Sequence, residues 1–182
     1  MGINSHSAYV FVDAGYVRAE LKKASQDDEF NPSHLWQRVP VTSADGQPIR
    51  PVRMFFYDAV DEGATDAEKQ KLQGYLTKVE QVPFVSVVTG FVRPGKKKNR
   101  EQKGVDVQIA VDALEAAWTK RAEAICLVSG DADFCPLAEA VRRAGAYMLV
   151  FGYQAHMSQE LIHSADYVGY LPDPREGHLK PF

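Results

Sequence analysis

The chain reads as a three-layer α/β/α domain, a central parallel sheet covered by helices on both faces. Three observations predict this. Short runs that are apolar throughout recur along the chain, which is how strands buried on two faces look. Segments of helical periodicity separate them. The composition, 45% apolar and 25% charged over 182 residues, is that of one ordinary globular domain spanning 1–182.

Ala8-Tyr-Val-Phe-Val-Asp13 is a buried strand running into a turn at Gly15, and 16–23 reads as the first helix. Residues 24–51 hold four prolines, little periodicity and the turn dipeptide Asp45-Gly46, so they read as an irregular insertion, a surface excursion or small hairpin. Val52-Arg-Met-Phe-Phe-Tyr57 is the second strand. A helix over 66–79 carries Leu72, Tyr75, Leu76 and Val79 on one face, and 84–89 is the third strand. A helix beginning near Val105 is predicted to bury Val107, Ala110, Val111, Leu114, Ala117 and Trp118. Strand 124–128, a helix over 136–144 closed by Gly145, strand 147–151 and a last helix at 158–165 follow, and 172–182 reads as a loose tail.

In an open parallel sheet, ligands bind beyond the carboxyl ends of the strands, where strand order reverses. Strand ends here carry Asp13, Asp58 and Ser129-Gly130-Asp131-Ala132-Asp133. Carboxylates gathered on one edge repel one another, and a divalent cation relieves that repulsion. With no matching cysteine or histidine, the donor set suits a hard ion, Mg2+ or Mn2+. Asp13 also suits a turn and Asp133 suits a helix cap, whereas Asp131, two residues ahead of a capping acid, has no such structural excuse. Asp106 lies one turn before Ala110, at the positive end of a helix dipole. Asp112, about 120° around the wheel, reads as solvated or structural. The Ser129 hydroxyl is placed to orient neighbouring carboxylates.

Residues 93–103 carry six basic side chains, Arg93, Lys96, Lys97, Lys98, Arg100 and Lys103, against one acid. The remainder holds 15 of the 21 basic residues and 23 of the 24 acidic ones, so positive charge is concentrated immediately upstream of Asp106. Cations beside an acidic pocket suit a polyanion held for phosphodiester cleavage. Other chemistries lack their residues. There is no Walker-type loop, no Gly-x-Ser-x-Gly elbow and no Gly-x-Gly-x-x-Gly. Cys126 and Cys135 read as buried small hydrophobes, and the five histidines are scattered, with His156 and His163 assigned to core or surface. No run reaches the length of a membrane span and the first residues lack a secretory pattern, so a soluble, cytoplasmic protein is expected.

At Tyr9-Val-Phe-Val-Asp-Ala-Gly15, Arg53-Met-Phe-Phe-Tyr-Asp-Ala59, Lys103-Gly-Val-Asp-Val-Gln-Ile-Ala-Val-Asp112, Leu127-Val-Ser-Gly-Asp-Ala-Asp-Phe134 and the closing 161–171, the sequence resembles the NYN branch of the PIN-like nuclease superfamily, within it the LabA-like bacterial group. The resemblance implies a PIN-like, Rossmann-like sandwich and a metal-dependent endoribonuclease. Its site acids would be Asp13, Asp106, Asp131 and Asp133, holding Mg2+ or Mn2+ for a metal-activated water. The substrate would be RNA, single-stranded in the first instance, with a homo-oligomer left open. The chain departs from the pattern at Tyr16, where many relatives place Asn. Two alternatives stand beside the ribonuclease: a non-catalytic or weakly catalytic RNA-binding module of the same fold, and a metal-dependent phosphatase, for which the basic segment would be dispensable.

Overall fold

The computed structural model describes residues 5–23, 30–39, 41–61, 63–92 and 104–173. Its elements run β1 (His6–Asp13), α1 (Ala14–Lys23), α2 (Leu35–Arg38), β2 (Val41–Thr42), β3 (Pro48–Asp61), α3 (Asp66–Glu80), β4 (Val85–Val92), α4 (Val105–Trp118), β5 (Ala124–Val128), α5 (Cys135–Arg143), β6 (Tyr147–Gly152), α6 (Gln159–Ser164) and β7 (Tyr167–Tyr170). The seven strands form one sheet in the order β2-β3-β1-β5-β6-β7, with β4 pairing the far part of β3. Every pairing is parallel except β2–β3, a short antiparallel hairpin, so the sheet is mixed rather than purely parallel.

Apolar strands allow two cores, one on each face. Val10, Val12, Met54 and Phe56 point to one side, against Val17 and Leu21 of α1 and Leu76 and Val79 of α3. Phe11, Tyr57, Ile125 and Leu127 point to the other, against α4, α5 and Leu161 of α6. Thr65 starts α3 with a capping box: its hydroxyl accepts from the Glu68 N–H, and Glu68 reaches back to the Thr65 N–H.

Four expectations are corrected. The stretch 24–51 contains the hairpin, but it is more than a surface excursion, because Phe30, Leu35, Val39 and Ile49 are buried in the first core. The buried stripe of α4 is Val105, Ile109, Ala113, Ala116 and Ala117. Val107, Val111 and Trp118 face outward instead, at 65%, 55% and 68% exposure, while Ala110 and Leu114 are partly buried. The helix is apolar on two opposite sides, and periodicity cannot say which side meets the sheet. Strand β7, at 167–170, is not foreshadowed by the sequence: four residues are too few to show a period. Cys126 is fully buried as expected, but Cys135 is only half-buried, and both thiols are free. The tail beyond residue 173 lies outside the described residues.

Candidate active site

From β1 the chain steps one way across the sheet, to β3 and β4, and then returns to build β5, β6 and β7 on the other side. Strand order therefore reverses between β1 and β5, and the crevice beyond their carboxyl ends is where an open sheet accepts a ligand. Asp13 closes β1, and Ser129, Gly130 and Asp131 follow β5 directly.

Asp13 is 6% exposed, and both of its oxygens are held. The Tyr16 N–H donates to Oδ1 at 3.0 Å, which makes Asp13 the cap of α1, and the Ser129 hydroxyl donates to Oδ2 at 3.1 Å. The Asp131 N–H donates back to Ser129 Oγ at 3.3 Å. Asp131 Oδ1 then accepts the Asp133 N–H at 2.9 Å, so the cap of the turn leading into α5 is Asp131, not Asp133 as its position suggested. Both acids are exposed at the crevice. Asp106, half-buried in the first turn of α4, comes from the other side of the sequence.

Electrostatics tie these groups together. Burial pushes the Asp13 carboxyl up to about 6, and the negative charges of Asp106 and Asp131 push the same way, against the Tyr16 N–H and the Ser129 hydroxyl. Burial also raises Asp106, and the charges of Asp131 and Asp133 add to it. The charges acting on Asp13 and on Asp106 thus come from acids on other elements. The donor set of Asp13, Asp106, Asp131 and Asp133 is oxygen alone, which fits a hard divalent cation. Among the described residues no three acidic, histidine or cysteine side chains already stand as a ligand set, so the cluster fits such an ion by chemistry and charge rather than by a preformed cage.

Asp58 stands apart from the cluster. It shares its side of β3 with Phe56, on the first core, and pairs with Arg18 Nη1 of α1 at 2.6 Å. Asp112 accepts the Tyr57 hydroxyl at 2.8 Å and Gln108 Nε2 at 2.7 Å, a structural tie between α4 and β3. His163 sits exposed on α6 beside the Gln159 carbonyl. Arg93, Lys96, Lys97, Lys98, Arg100 and Lys103 lie outside the described residues.

Sequence reasoning missed the wall beside the acids. Tyr16 lays its ring over Gly130 and accepts the Tyr153 N–H at its hydroxyl at 2.8 Å. Gly130 is required there by close approach: a Cβ would collide with the His156 carbonyl oxygen and lie 2.8 Å from the Tyr16 ring. Beneath, buried Glu20 pairs with His156 Nδ1 at 2.5 Å and Lys23 Nζ at 2.6 Å. The one signal available was the Gly of Ser129-Gly130-Asp131.

A three-layer sandwich with acids at its switch point has the layout of a PIN-like domain. The NYN domain, a PIN-like nuclease family, matches residues 7–172, and the chain belongs to that family. A protein of unknown function from Vibrio parahaemolyticus, VPA0982, has a crystal structure that matches with a TM-score of 0.65 at 22% identity, covering 96% of this chain and 98% of that one. The likeness is one of fold. An uncharacterized protein of Methanocaldococcus jannaschii, MJ0482, is 38% identical over 82 residues, 45% of this chain. That match spans 34% of the relative's length. NYN domains are generally nucleases acting on RNA, and PIN-like nucleases typically use divalent metals.

Proposed function

We propose that the chain is a metal-dependent endoribonuclease of the LabA-like group, hydrolysing phosphodiesters of single-stranded RNA at Asp13, Asp106, Asp131 and Asp133. The observation that carries this reading is the convergence of acids from β1, the start of α4 and the turn after β5, where Asp106 and Asp131 stand near enough to raise Asp13, and Asp131 and Asp133 near enough to raise Asp106. These four side chains would hold Mg2+ or Mn2+. Such an ion, when bound, supplies a Lewis acid for the phosphate and lowers the pKa of attacking water.

The chain's own groups set the stage for that chemistry. Ser129 and the Tyr16 amide fix the two oxygens of Asp13, so its lone pairs are aimed before substrate arrives. The Ser129 hydroxyl is committed between Asp13 and the Asp131 N–H, which speaks for water rather than serine as nucleophile. Lys96, Lys97, Lys98, Arg100, Lys103 and Arg93 would hold neighbouring phosphates.

The test is a panel of single-stranded RNA and DNA incubated with Mn2+, Mg2+ or EDTA, using wild type and Asp131→Asn. Asn keeps the oxygen that accepts the Asp133 N–H, so the variant should fold with unchanged circular dichroism and lose cleavage by a factor of about 100 or more. RNA left intact by wild type with either ion, or undiminished cleavage by the folded variant, overturns the reading. One observation favours the weakly catalytic RNA-binding reading. Tyr16 stands where many relatives carry Asn and so offers substrate no side-chain amide, and its hydroxyl instead accepts the Tyr153 N–H. That reading expects salt-sensitive RNA binding without metal-dependent turnover.

A further inference from the structure

Glu20 is buried on α1, one turn beyond Tyr16, and takes no part in the acid cluster. Both of its oxygens are engaged: Oε1 accepts from Lys23 Nζ at 2.6 Å, and Oε2 meets His156 Nδ1 at 2.5 Å. Its two partners are not buried, Lys23 being 60% exposed and His156 47%. A carboxylate withdrawn from water needs a partner, and Lys23 already supplies one. What the second contact adds is direction. A carboxylate only accepts, so Nδ1 carries the proton and is turned inward, and Nε2, across the ring, is left to the surface. Among the described residues none bonds that nitrogen. A carboxylate behind one ring nitrogen is the device that aims the other nitrogen of a histidine at a ligand.

The surface in question borders the acids. Strand β6 ends at Gly152, and residues 153–158 leave its carboxyl end beside the turn that leaves β5. The two loops are stitched together: the Ser158 N–H donates to the Gly130 carbonyl at 2.9 Å, and the His156 carbonyl packs where Gly130 lacks a Cβ. Asp131 is the next residue. From the other side, the Tyr16 ring lies over the same glycine while the Tyr16 N–H binds Asp13. We propose that His156, aimed by Glu20, is a substrate contact on the wall of this crevice, its Nε2 meeting a ribose 2′-hydroxyl and so selecting RNA over DNA. The proposal rests on the reading of RNA as the substrate.

Hydrogen-bonding capacity decides the partner. With Nδ1 facing Glu20, a neutral ring presents a lone pair at Nε2, and a charged ring presents an N–H. A phosphate oxygen, which only accepts, suits the charged ring alone. A 2′-hydroxyl both donates and accepts, so it meets the nitrogen in either form, and DNA lacks it. Glu20 touches no substrate in this arrangement and is a positioning residue.

Binding is measured in the Asp131→Asn protein, so that no strand is consumed, to single strands of one sequence made as RNA and as DNA at one salt concentration. His156→Ala should weaken RNA binding about fivefold, the worth of one net hydrogen bond, and leave DNA binding unchanged. His156→Gln, whose amide keeps a donor and an acceptor, should recover part of that loss. Glu20→Leu should reproduce the RNA-only loss although Nε2 is intact, with unaltered circular dichroism. Equal losses on RNA and DNA would mark a phosphate contact and overturn the proposal. RNA binding indifferent to His156→Ala overturns it as well, and a folded Glu20→Leu protein with full RNA affinity removes Glu20 from the positioning role. Because the readout is binding, a failure here is distinct from a failure of the cleavage panel.

Discussion

Asp13 is a buried carboxylate, 6% exposed, that feels the charges of two other acids. Its ordinary value of 3.8 is raised to about 6 by burial first and by Asp106 and Asp131 next. Between those two values the folded protein keeps a proton that the unfolded chain has released, so stability falls as pH rises through that window and the full cost is present above it. A shift of this size corresponds to an order of 2–3 kcal/mol. Asp13→Asn keeps an oxygen for Tyr16 or Ser129 and removes the charge. It should therefore raise the midpoint of urea unfolding at pH 7.5 and change it little near pH 4, while abolishing cleavage; equal stability of the two proteins at pH 7.5 would show that the carboxylate bears no such cost. The sequence points to the four acids and Ser129 because each sits in a short motif at the end of a strand or the start of a helix, and the structure describes the surroundings of each. The parts of Tyr16 and Gly130 were not legible, because their roles depend on the His156 carbonyl and the Tyr153 amide, which the fold brings in from another loop.

Elements were readable to the degree that their burial was one-sided or complete. Strand β5, buried at all five positions, and β6, apolar along its length, lie where the apolar runs placed them. Helix α4 was found but turned the wrong way, since Val105, Ile109 and Ala113 make as good a stripe as Val107, Val111 and Trp118. What orients it is tertiary. Val105 packs where β4 has no side chain, at Gly90, and the Tyr57 hydroxyl of β3 reaches Asp112. Burial and the neighbouring carboxylate hold the Tyr57 phenol well above its ordinary value of 10, so it stays a donor through the whole range in which the protein is handled. Tyr57→Phe should cost about 1–2 kcal/mol in urea unfolding, because it deletes a hydrogen bond to a charged group. Asp112 keeps Gln108 as a partner, which limits the loss. An unchanged midpoint would mean that α4 is oriented by packing alone.

At the scale of the molecule the question is how a chain of net charge −3 grips a polyanion. Strand order brings Asp13, Asp131 and Asp133 to one edge of the sheet and α4 adds Asp106, so the place where the proposed reaction would bring a phosphate is itself negative. With 23 of 24 acids outside 93–103, the six cations within that segment are the densest source of attraction the sequence offers, and the proposed function assigns them that part. Neutralising Lys96, Lys97 and Lys98 to Ala should therefore weaken binding of a long single-stranded RNA. It should also lower the slope of log affinity against log salt by about 2, at roughly 0.7 for each phosphate that the lysines no longer neutralise. Titrations use the Asp131→Asn background, so that bound RNA is not consumed, at salt from about 50 to 200 mM. Under this reading, cleavage of a dinucleotide, which has no neighbouring phosphates for the lysines to hold, should fall much less than cleavage of the long strand. A slope that does not move would remove these lysines from the RNA path. Equal activity of the triple variant on both lengths would favour a small phosphoester as substrate, since only a long strand carries phosphates for that segment to hold.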